Sequence, residues 1–199
     1  MSDQEQFLQL IYHGQEERNL EYKQSVTWND DDVKAKIAKS IIAMSNLADG
    51  GDIIIGVEKD GTVSGMNETD FNSFDQDSVK SHVNRHAVPY ADFSFRKVIE
   101  KEKNFIVFQV AGFSLIPIIC ARGWRNELNK GVIYIRSKRM PESTAIGDEG
   151  DLRELMDLAV DKWNRYKLMR QKRAGIFQVP KKSPEMIKKE FNDEAGDFA

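Results

Sequence analysis

The chain has 199 residues, of which 40% are apolar and 31% charged, with one cysteine and a formal net charge of −3. This composition excludes a disordered chain and an internal disulfide, and the length suits one compact domain with an appendage. Because the net charge is negative, the field of the whole molecule does not attract phosphate, so a nucleic-acid site would need a local cluster of basic residues.

The first part of the chain predicts a helix, a strand and a second helix. Apolar residues recur at helical spacing within residues 4–12, and residues 20–26 begin with the alternation of a half-buried strand. The sequence NDDD at 29–32 offers an N-cap and an acidic first turn for a long amphipathic helix. The glycines of DGG at 49–51 are expected to end that helix.

The second part of the chain predicts most of the sheet. The expected elements are a central strand at 52–58, a hairpin turn at 58–61, a helix at 76–87, strands at 92–99 and 104–111, and two strands in PIICA and VIYIR. An amphipathic helix begins near Leu152 and ends near Lys172, and the residues after it have the composition of a flexible tail. We therefore expect an α+β fold with a mixed sheet of about six or seven strands.

The segment GQEERNLEYKQS, residues 14–25, carries a cluster of charged residues. On a strand, Glu21 and Lys23 share one face, with side chains about 6–7 Å apart. Phosphodiester hydrolysis can use such a pair, because a carboxylate holds a divalent cation that lowers the pKa of bound water, and the ammonium stabilises the nucleophile or the phosphate charge. The alternative is an ion pair on a solvated face.

The glycines of NLADGG, residues 46–51, do not predict a phosphate-binding loop. They follow the C-terminus of a helix, whereas phosphate is held at a helix N-terminus. No G-x-x-x-x-G-K-[ST] motif occurs in the chain. We therefore expect no ATP binding of the P-loop type.

A basic segment at residues 122–139 is the main candidate for contact with nucleic acid. It interleaves positive charge with an aromatic residue, a combination that binds backbone phosphates and stacks on unpaired bases. The alternative is a solvated hairpin with the tryptophan in the core. The residues concerned are Arg122, Trp124, Arg125, Lys130, Arg136, Lys138 and Arg139.

The order of these motifs resembles the AlbA-like domain of the Schlafen family, also known in bacterial proteins as a divergent AAA-type or DNA-binding domain. EERNLEYK, SNLADGG, DIIIGVEKDGTVSG and GVIYIR follow one another in the family's order, over roughly residues 14–155. The resemblance implies a mixed sheet packed with helices. It also implies nucleic-acid binding, and for several members a metal-dependent endoribonuclease activity on transfer and ribosomal RNA.

The resemblance also implies a set of site residues. The family's two N-terminal active-site acids, five residues apart, match Glu16 and Glu21, which would be catalytic and would hold Mg²⁺ or Mn²⁺. The family's third acid falls on Lys59, which is a departure from the motif. Either Glu58 or Asp60 beside it takes that role, or this chain lacks the third ligand, since a shift of one residue along a strand turns the side chain to the other face.

We therefore expect a nucleic-acid-binding protein that is a metal-dependent endoribonuclease acting on structured RNA such as tRNA. The alternatives are a non-catalytic DNA- or RNA-binding regulator and an interaction subunit of a larger assembly. A homodimer is expected through the last helix, because Trp163, Tyr166 and Met169 continue its apolar stripe. With no apolar stretch of roughly 20 residues and no secretory signal, we expect a cytoplasmic protein without a membrane span.

The predicted organisation has four parts. They are an N-terminal helix at 1–13, the Schlafen AlbA-like domain at 14–150, a C-terminal helix at 151–173 and a flexible tail at 174–199. The acidic and basic candidates all lie within the second part.

Overall fold

The computed structural model of the chain describes residues 3–139 and 141–176. Its two compact units are Met1–Lys162 and Trp163–Ala199, with the boundary inside the last helix. The helices are α1 Asp3–Ile11, α2 Asp31–Ser45, α3 Glu68–Ser73, α4 Gln76–His86 and α5 Glu149–Arg173. The strands are β1 Leu20–Lys23, β2 Gly51–Ile55, β3 Ala87–Val88, β4 Phe93–Glu100, β5 Lys103–Val110, β6 Ile119–Cys120, β7 Tyr134–Arg136 and β8 Ser143–Ala145. Most of the predicted tail, from residue 177 onward, lies outside the described residues.

A four-stranded mixed sheet forms the centre of the first unit, in the order β1-β2-β5-β4. β1 and β2 are parallel, and the other neighbours are antiparallel. A parallel pair needs a crossover connection, which α2 provides between β1 and β2. The mixed sheet with helices confirms the predicted α+β class.

Both faces of this sheet are covered. Ile53 and Ile55 of β2 belong to the larger core, which α2 helps to form, whereas Ile54 belongs to a smaller core with residues of α1. Burial on both faces is why the last three residues of β2 are all isoleucine rather than alternately apolar and polar. Tyr22 of β1 lies in the smaller core, so its neighbour Glu21 faces the other way, toward α2.

The start of α2 agrees with the prediction from the sequence, whereas its end does not. The side chain of Asp30 accepts hydrogen bonds from the backbone N–H groups of Asp32 and Val33, as an N-cap does. The helix ends at Ser45, before the predicted glycines, and Asn46 caps it. The buried side chain of Asn46 donates to the backbone oxygens of Ile118 and Tyr134 and accepts from the backbone N–H of Ile118.

The remaining strands form two short antiparallel ribbons, β3-β6 and β7-β8, outside the central sheet. The prediction of one sheet with six or seven strands was therefore wrong for the described residues, which hold eight strands in three sheets. Strands of two or three residues are too short to show alternation in a sequence, which explains why β3 and β8 were not predicted. Among the described helices, none is long and apolar enough to cross a membrane.

Candidate functional site

A groove of about 820 Å³ opens in the first unit beside β1, α2, the turn after β2 and the β7-β8 ribbon. Four of the residues predicted for catalysis line it, which are Glu16, Glu21, Lys23 and Glu58. Asp60, the fifth, is not among the lining residues. The structure therefore brings together acids that are 42 positions apart in the chain, from Glu16 to Glu58.

Glu21 is the most enclosed of these residues, with 8% of the whole residue exposed. Its Oε1 accepts hydrogen bonds from Nζ of Lys23 at 2.5 Å and Oγ of Ser40 at 2.8 Å. Its Oε2 accepts from Nη1 of Arg136 at 2.9 Å and from Oγ of Ser143 at 3.4 Å. Both oxygens are therefore engaged by side chains of the protein.

The ionisation of Glu21 is decided by opposing effects. Burial raises the pKa of Glu21, but the positive charges of Lys23 and Arg136, with the hydrogen bonds from Lys23 and Ser40, outweigh it and hold the pKa below its ordinary value. Glu21 is therefore a carboxylate at neutral pH and balances two basic side chains. The expected ion pair of Glu21 and Lys23 is present, but on a covered face rather than a solvated one.

Glu16 and Glu58 differ from Glu21 in having spare acceptor capacity. Oε1 of Glu16 accepts from the backbone N–H of Tyr22 at 2.8 Å, and Oε1 of Glu58 accepts from Oγ of Ser64 at 2.9 Å. Within the described ranges, the second oxygen of each accepts no hydrogen bond. Among the predicted catalytic acids that line the groove, these two carboxylates can accept a further ligand without losing an internal contact.

Asp60 and Lys59 lie in the turn after β2. Oδ1 of Asp60 accepts from the backbone N–H of Thr62 at 2.9 Å, and this hydrogen bond lowers the pKa of Asp60. Asp60 is exposed and shapes the turn, whereas Lys59 lines the groove. Of the two neighbours of Lys59, it is therefore Glu58 that reaches the groove.

The fit of a divalent cation to this groove is limited. In residues 3–139 and 141–176, no three histidine, cysteine or acidic side chains are grouped so that they could hold a metal ion. Mg²⁺ is commonly held by one or two carboxylates and several waters, and Glu16 and Glu58 each have one oxygen without a hydrogen bond in the described residues. Glu21 does not suit it as it stands, because a cation would have to displace Lys23, Ser40 or Arg136 from its oxygens.

Arg136 does not belong to the basic surface predicted from the segment 122–139. Its side chain is 1% exposed and is the partner of Glu21. The pattern VIYIR places Arg136 on the same face of β7 as Tyr134, which is itself buried. This burial removes its guanidinium from contact with a phosphate in solvent.

The other basic residues of the segment lie at the surface, mostly paired. Arg122 and Lys130 are exposed and have no ion pair among the described residues. The other three have carboxylate partners, which are Asp31 and Asp32 for Arg125, Glu154 for Lys138 and Asp148 for Arg139. A surface pair of this kind reduces the charge that a nucleic acid meets, although it contributes little to stability.

Trp124 packs into the protein rather than standing free. Its ring contacts those of His82 and His86 edge-on, with centroids 5.6 and 5.7 Å away. Its Nε1 donates to the backbone oxygen of Asp31 at 3.4 Å. The indole is thus half-buried against α4, and the alternative reading of the basic segment, with the tryptophan packed inside, describes it better.

Sequence reasoning missed the contribution of α2 to the groove. Lys36, Lys39 and Ser40 line it from one face of that helix. Their spacing of three and four residues is the available signal, since it places all three side chains together. Lys39 pairs with Glu127 at 2.8 Å, whereas Lys36 is exposed and has no ion pair in the described part of the chain.

The charge lining the groove is mixed and slightly acidic. Seven carboxylates and five basic side chains line it. The carboxylates are those of Glu16, Glu21, Asp30, Glu58, Asp70, Glu127 and Glu142, and the basic side chains are Lys23, Lys36, Lys39, Lys59 and Arg136. Most of these acids accept hydrogen bonds from the protein, while Lys36 and Lys59 face solvent without a carboxylate partner among the described residues.

Comparison with known proteins gives three findings. Among solved structures, the chain is similar to the DIP2311 protein from Corynebacterium diphtheriae at 16% identity and a TM-score of 0.45, over 65% of this chain and 22% of that one, so it spans a small part of that protein's length. No curated protein gives a significant match. A family model described as Schlafen, AlbA_2 matches residues 16–143, more than half of the chain, and the chain therefore belongs to the Schlafen AlbA_2 family.

Proposed function

We propose that the chain binds nucleic acid and cleaves structured RNA such as tRNA, with Mg²⁺ or Mn²⁺ as cofactor. The observation that carries the proposal is the meeting of Glu16, Glu21, Glu58 and Lys23 in one groove. Carboxylates beside an ammonium are the groups that phosphodiester hydrolysis uses. Membership of the Schlafen AlbA_2 family supports the nucleic-acid part of the proposal.

The charge of the groove favours a cation as part of the site. Seven carboxylates outnumber the five basic side chains, so a bound cation would favour the approach of a phosphate. Glu16 and Glu58 would hold the cation. The cation would lower the pKa of a bound water, and its positive charge would stabilise the phosphate. Lys23, held by Glu21, would bind the scissile phosphate, and Lys36 would bind a neighbouring one.

Binding without catalysis is the second candidate. The observation that favours it is the state of Glu21, whose two oxygens already accept hydrogen bonds from Lys23, Ser40 and Arg136. The presence of Lys59 at the position of the family's third acid also favours binding without catalysis. In that case the groove would bind a nucleic-acid backbone through its lysines, and the protein would act as a DNA- or RNA-binding regulator.

A homodimer remains part of the proposal, and an interaction subunit of a larger assembly is its alternative. In the second unit, Trp163, Tyr166 and Met169 are 53%, 39% and 60% exposed. Aromatic and methionine side chains of this exposure are typical of interfaces. The cytoplasmic location expected from the sequence stays a prediction.

The test is incubation of the purified protein with total tRNA, with Mn²⁺, with Mg²⁺ and with EDTA. Cleavage that needs the cation would support the first candidate. Retention of tRNA without cleavage under all three conditions would favour the second. If the tRNA is neither cleaved nor retained, both candidates are contradicted, and an interaction subunit is the alternative that remains.

A further inference from the structure

Arg136 is buried and contacts both acidic segments of the groove, the loop that carries Glu16 and the strand that carries Glu21. Its Nη2 donates to the backbone oxygen of Glu17 at 3.0 Å, and its Nε donates to that of Arg18 at 3.0 Å. Its Nη1 donates to Oε2 of Glu21 at 2.9 Å. We propose that Arg136 is the positioning residue of the groove, which fixes Glu16 and Glu21 relative to each other.

The geometry of a guanidinium explains why an arginine occupies this position. Its five N–H donors lie in one plane at fixed angles, so three bound oxygens are held in one arrangement. A lysine would keep the positive charge but has a single flexible ammonium. The charge of Arg136 therefore neutralises Glu21, and its planar shape sets the place of the loop.

The loop is also clamped in the opposite direction, by Arg18. Nε of Arg18 donates to the backbone oxygen of Arg136 at 2.8 Å, and its two terminal nitrogens bind both oxygens of Glu154 at 2.9 and 2.8 Å. Arg18 and Arg136 thus bond each other's backbone across 118 positions of the chain. The segment before β1 is held to β7 from both sides, with the start of α5 as support.

One hydrogen bond reports directly on whether the loop that carries Glu16 is fixed to β1. The backbone N–H of Tyr22 donates to Oε1 of Glu16 at 2.8 Å. If Arg136 fixes the loop, this N–H is protected in the native protein and becomes less protected when the loop is released. The charged groups that act on Glu21 are Lys23 on β1 and Arg136 on β7, so loss of Arg136 leaves the carboxylate with one positive neighbour.

The experiment compares Arg136→Gln, Arg136→Lys and the exposed control Arg139→Gln by NMR of the full chain. In Arg136→Gln, the carboxyl resonance of Glu21 should titrate about one pH unit or more higher, because one of its two counter-charges is gone. In Arg136→Lys, the pH at which the Glu21 resonance titrates should stay low, because the positive charge is kept. The Tyr22 amide should exchange about tenfold faster, because the loop opens locally. Arg139→Gln should change neither quantity.

Two results would overturn the proposal. One is a Glu21 titration in Arg136→Gln equal to that of the wild type, and the other is an unchanged Tyr22 exchange rate in Arg136→Lys. If Arg136→Gln does not fold, Arg136→Lys alone decides, because it keeps the buried charge. Neither measurement needs RNA, so both stand apart from the proposed activity.

The consequence for catalysis rests on the proposed function. If the wild type cleaves tRNA, Arg136→Gln should lower kcat more than it changes KM, and the acid limb of the pH–rate profile should move to higher pH with the pKa of Glu21. Arg136→Lys should restore part of kcat. A wild type that cleaves no RNA would contradict the proposed cleavage activity, while the titration and exchange experiments would still test the positioning role.

Discussion

Oε2 of Glu21 lies 2.9 Å from Nη1 of Arg136, and the two side chains are 10% and 1% exposed. A buried pair of this kind contributes little compared with two well-packed apolar residues, but removal of one partner leaves an uncompensated charge in the interior. The stability of the protein should therefore depend on both partners being present.

The first prediction is that Arg136→Gln lowers the free energy of unfolding by about 3–5 kcal/mol. Arg139→Gln, which removes an arginine that is 81% exposed and paired with Asp148, should cost less than about 1 kcal/mol. Urea unfolding of the two variants measures the difference. Equal costs would show that the guanidinium of Arg136 is not desolvated in solution.

The second prediction concerns Glu21→Gln. An exposed carboxylate could be replaced almost without cost, but burial beside Arg136 makes a loss of about 3 kcal/mol the expected result. In the double variant Glu21→Gln/Arg136→Gln, the total loss should be smaller than the sum of the single losses by at least about 1 kcal/mol, because Glu21 and Arg136 no longer leave each other's charge unpaired. Additive losses in a double-mutant cycle would argue against direct coupling.

The burial of this pair also shows where sequence reasoning ends. The alternation of β1 indicates that Tyr22 and Glu21 face opposite ways, and the structure agrees. What alternation does not tell is whether the second face is also covered, since that depends on how α2 crosses over the sheet. The partner of Glu21 lies 115 positions away in the chain, and no local pattern encodes a contact at that distance.

Local signals, by contrast, predicted much of the fold. Asp30 caps α2 because the residue type suits an N-cap, and the run Ile53, Ile54 and Ile55 of β2 predicted burial on both faces, which the structure shows. The prediction that Arg136 belongs to an exposed basic surface was wrong. It used the charge of the segment but not the alternation of the strand, which places Arg136 on the same face as the buried Tyr134. Short strands such as β8 gave no periodic signal at all.

The third prediction separates Glu58 from Asp60 in the proposed cleavage reaction. Glu58→Gln and Glu16→Gln should each lower divalent-dependent cleavage of tRNA by about 100-fold or more, since each removes an acid with a free oxygen in the groove. Asp60→Asn is the matched control, because Asp60 binds Thr62 in the turn and should keep most of the activity. Gel analysis of tRNA fragments measures all three variants. Equal loss in Asp60→Asn would place the third acid at Asp60 instead.

The fourth prediction concerns the unpaired lysines of the groove. Lys36→Gln/Lys59→Gln should weaken RNA binding and reduce the slope of log affinity against log salt by about one to two, because each phosphate contact releases counterions. Arg139→Gln should change the slope less, since its guanidinium is already paired with Asp148. Fluorescence anisotropy over a range of salt concentrations gives the slope. An unaltered slope in the double variant would place the binding surface elsewhere.

The fifth prediction tests the homodimer. Trp163→Glu/Tyr166→Glu changes two exposed aromatic rings that contact each other at a centroid distance of 5.8 Å. If these rings pack against a second copy, sedimentation at micromolar concentration should show a dimer for the wild type and a monomer for the variant. A monomeric wild type would end the dimer hypothesis. A variant that stays dimeric would move the interface to another surface.

The last prediction follows from His82, which packs between Trp28 and Trp124. Burial, with the positive charges of His86, Lys34 and Arg85, lowers the pKa of His82 from 6.5 to about 4. The unfolded chain therefore binds a proton on this ring at a higher pH than the folded protein does. The stability that the neutral ring contributes is complete above about pH 6.5 and is lost as the pH falls through about 4.

His82→Phe keeps a ring of similar size at this position but cannot be protonated. The wild type should lose about 1 kcal/mol more than the variant between pH 7 and about pH 4.5, a figure reduced from the full pKa shift because solvent reaches part of the ring. Urea unfolding at the two pH values measures this difference. His13→Gln is the control, because it removes a histidine at an exposed position, and its stability should change with pH as that of the wild type does. If His82→Phe lost as much stability on acidification as the wild type, the ring would have to be solvated, and the packing of Trp124 against it would need revision.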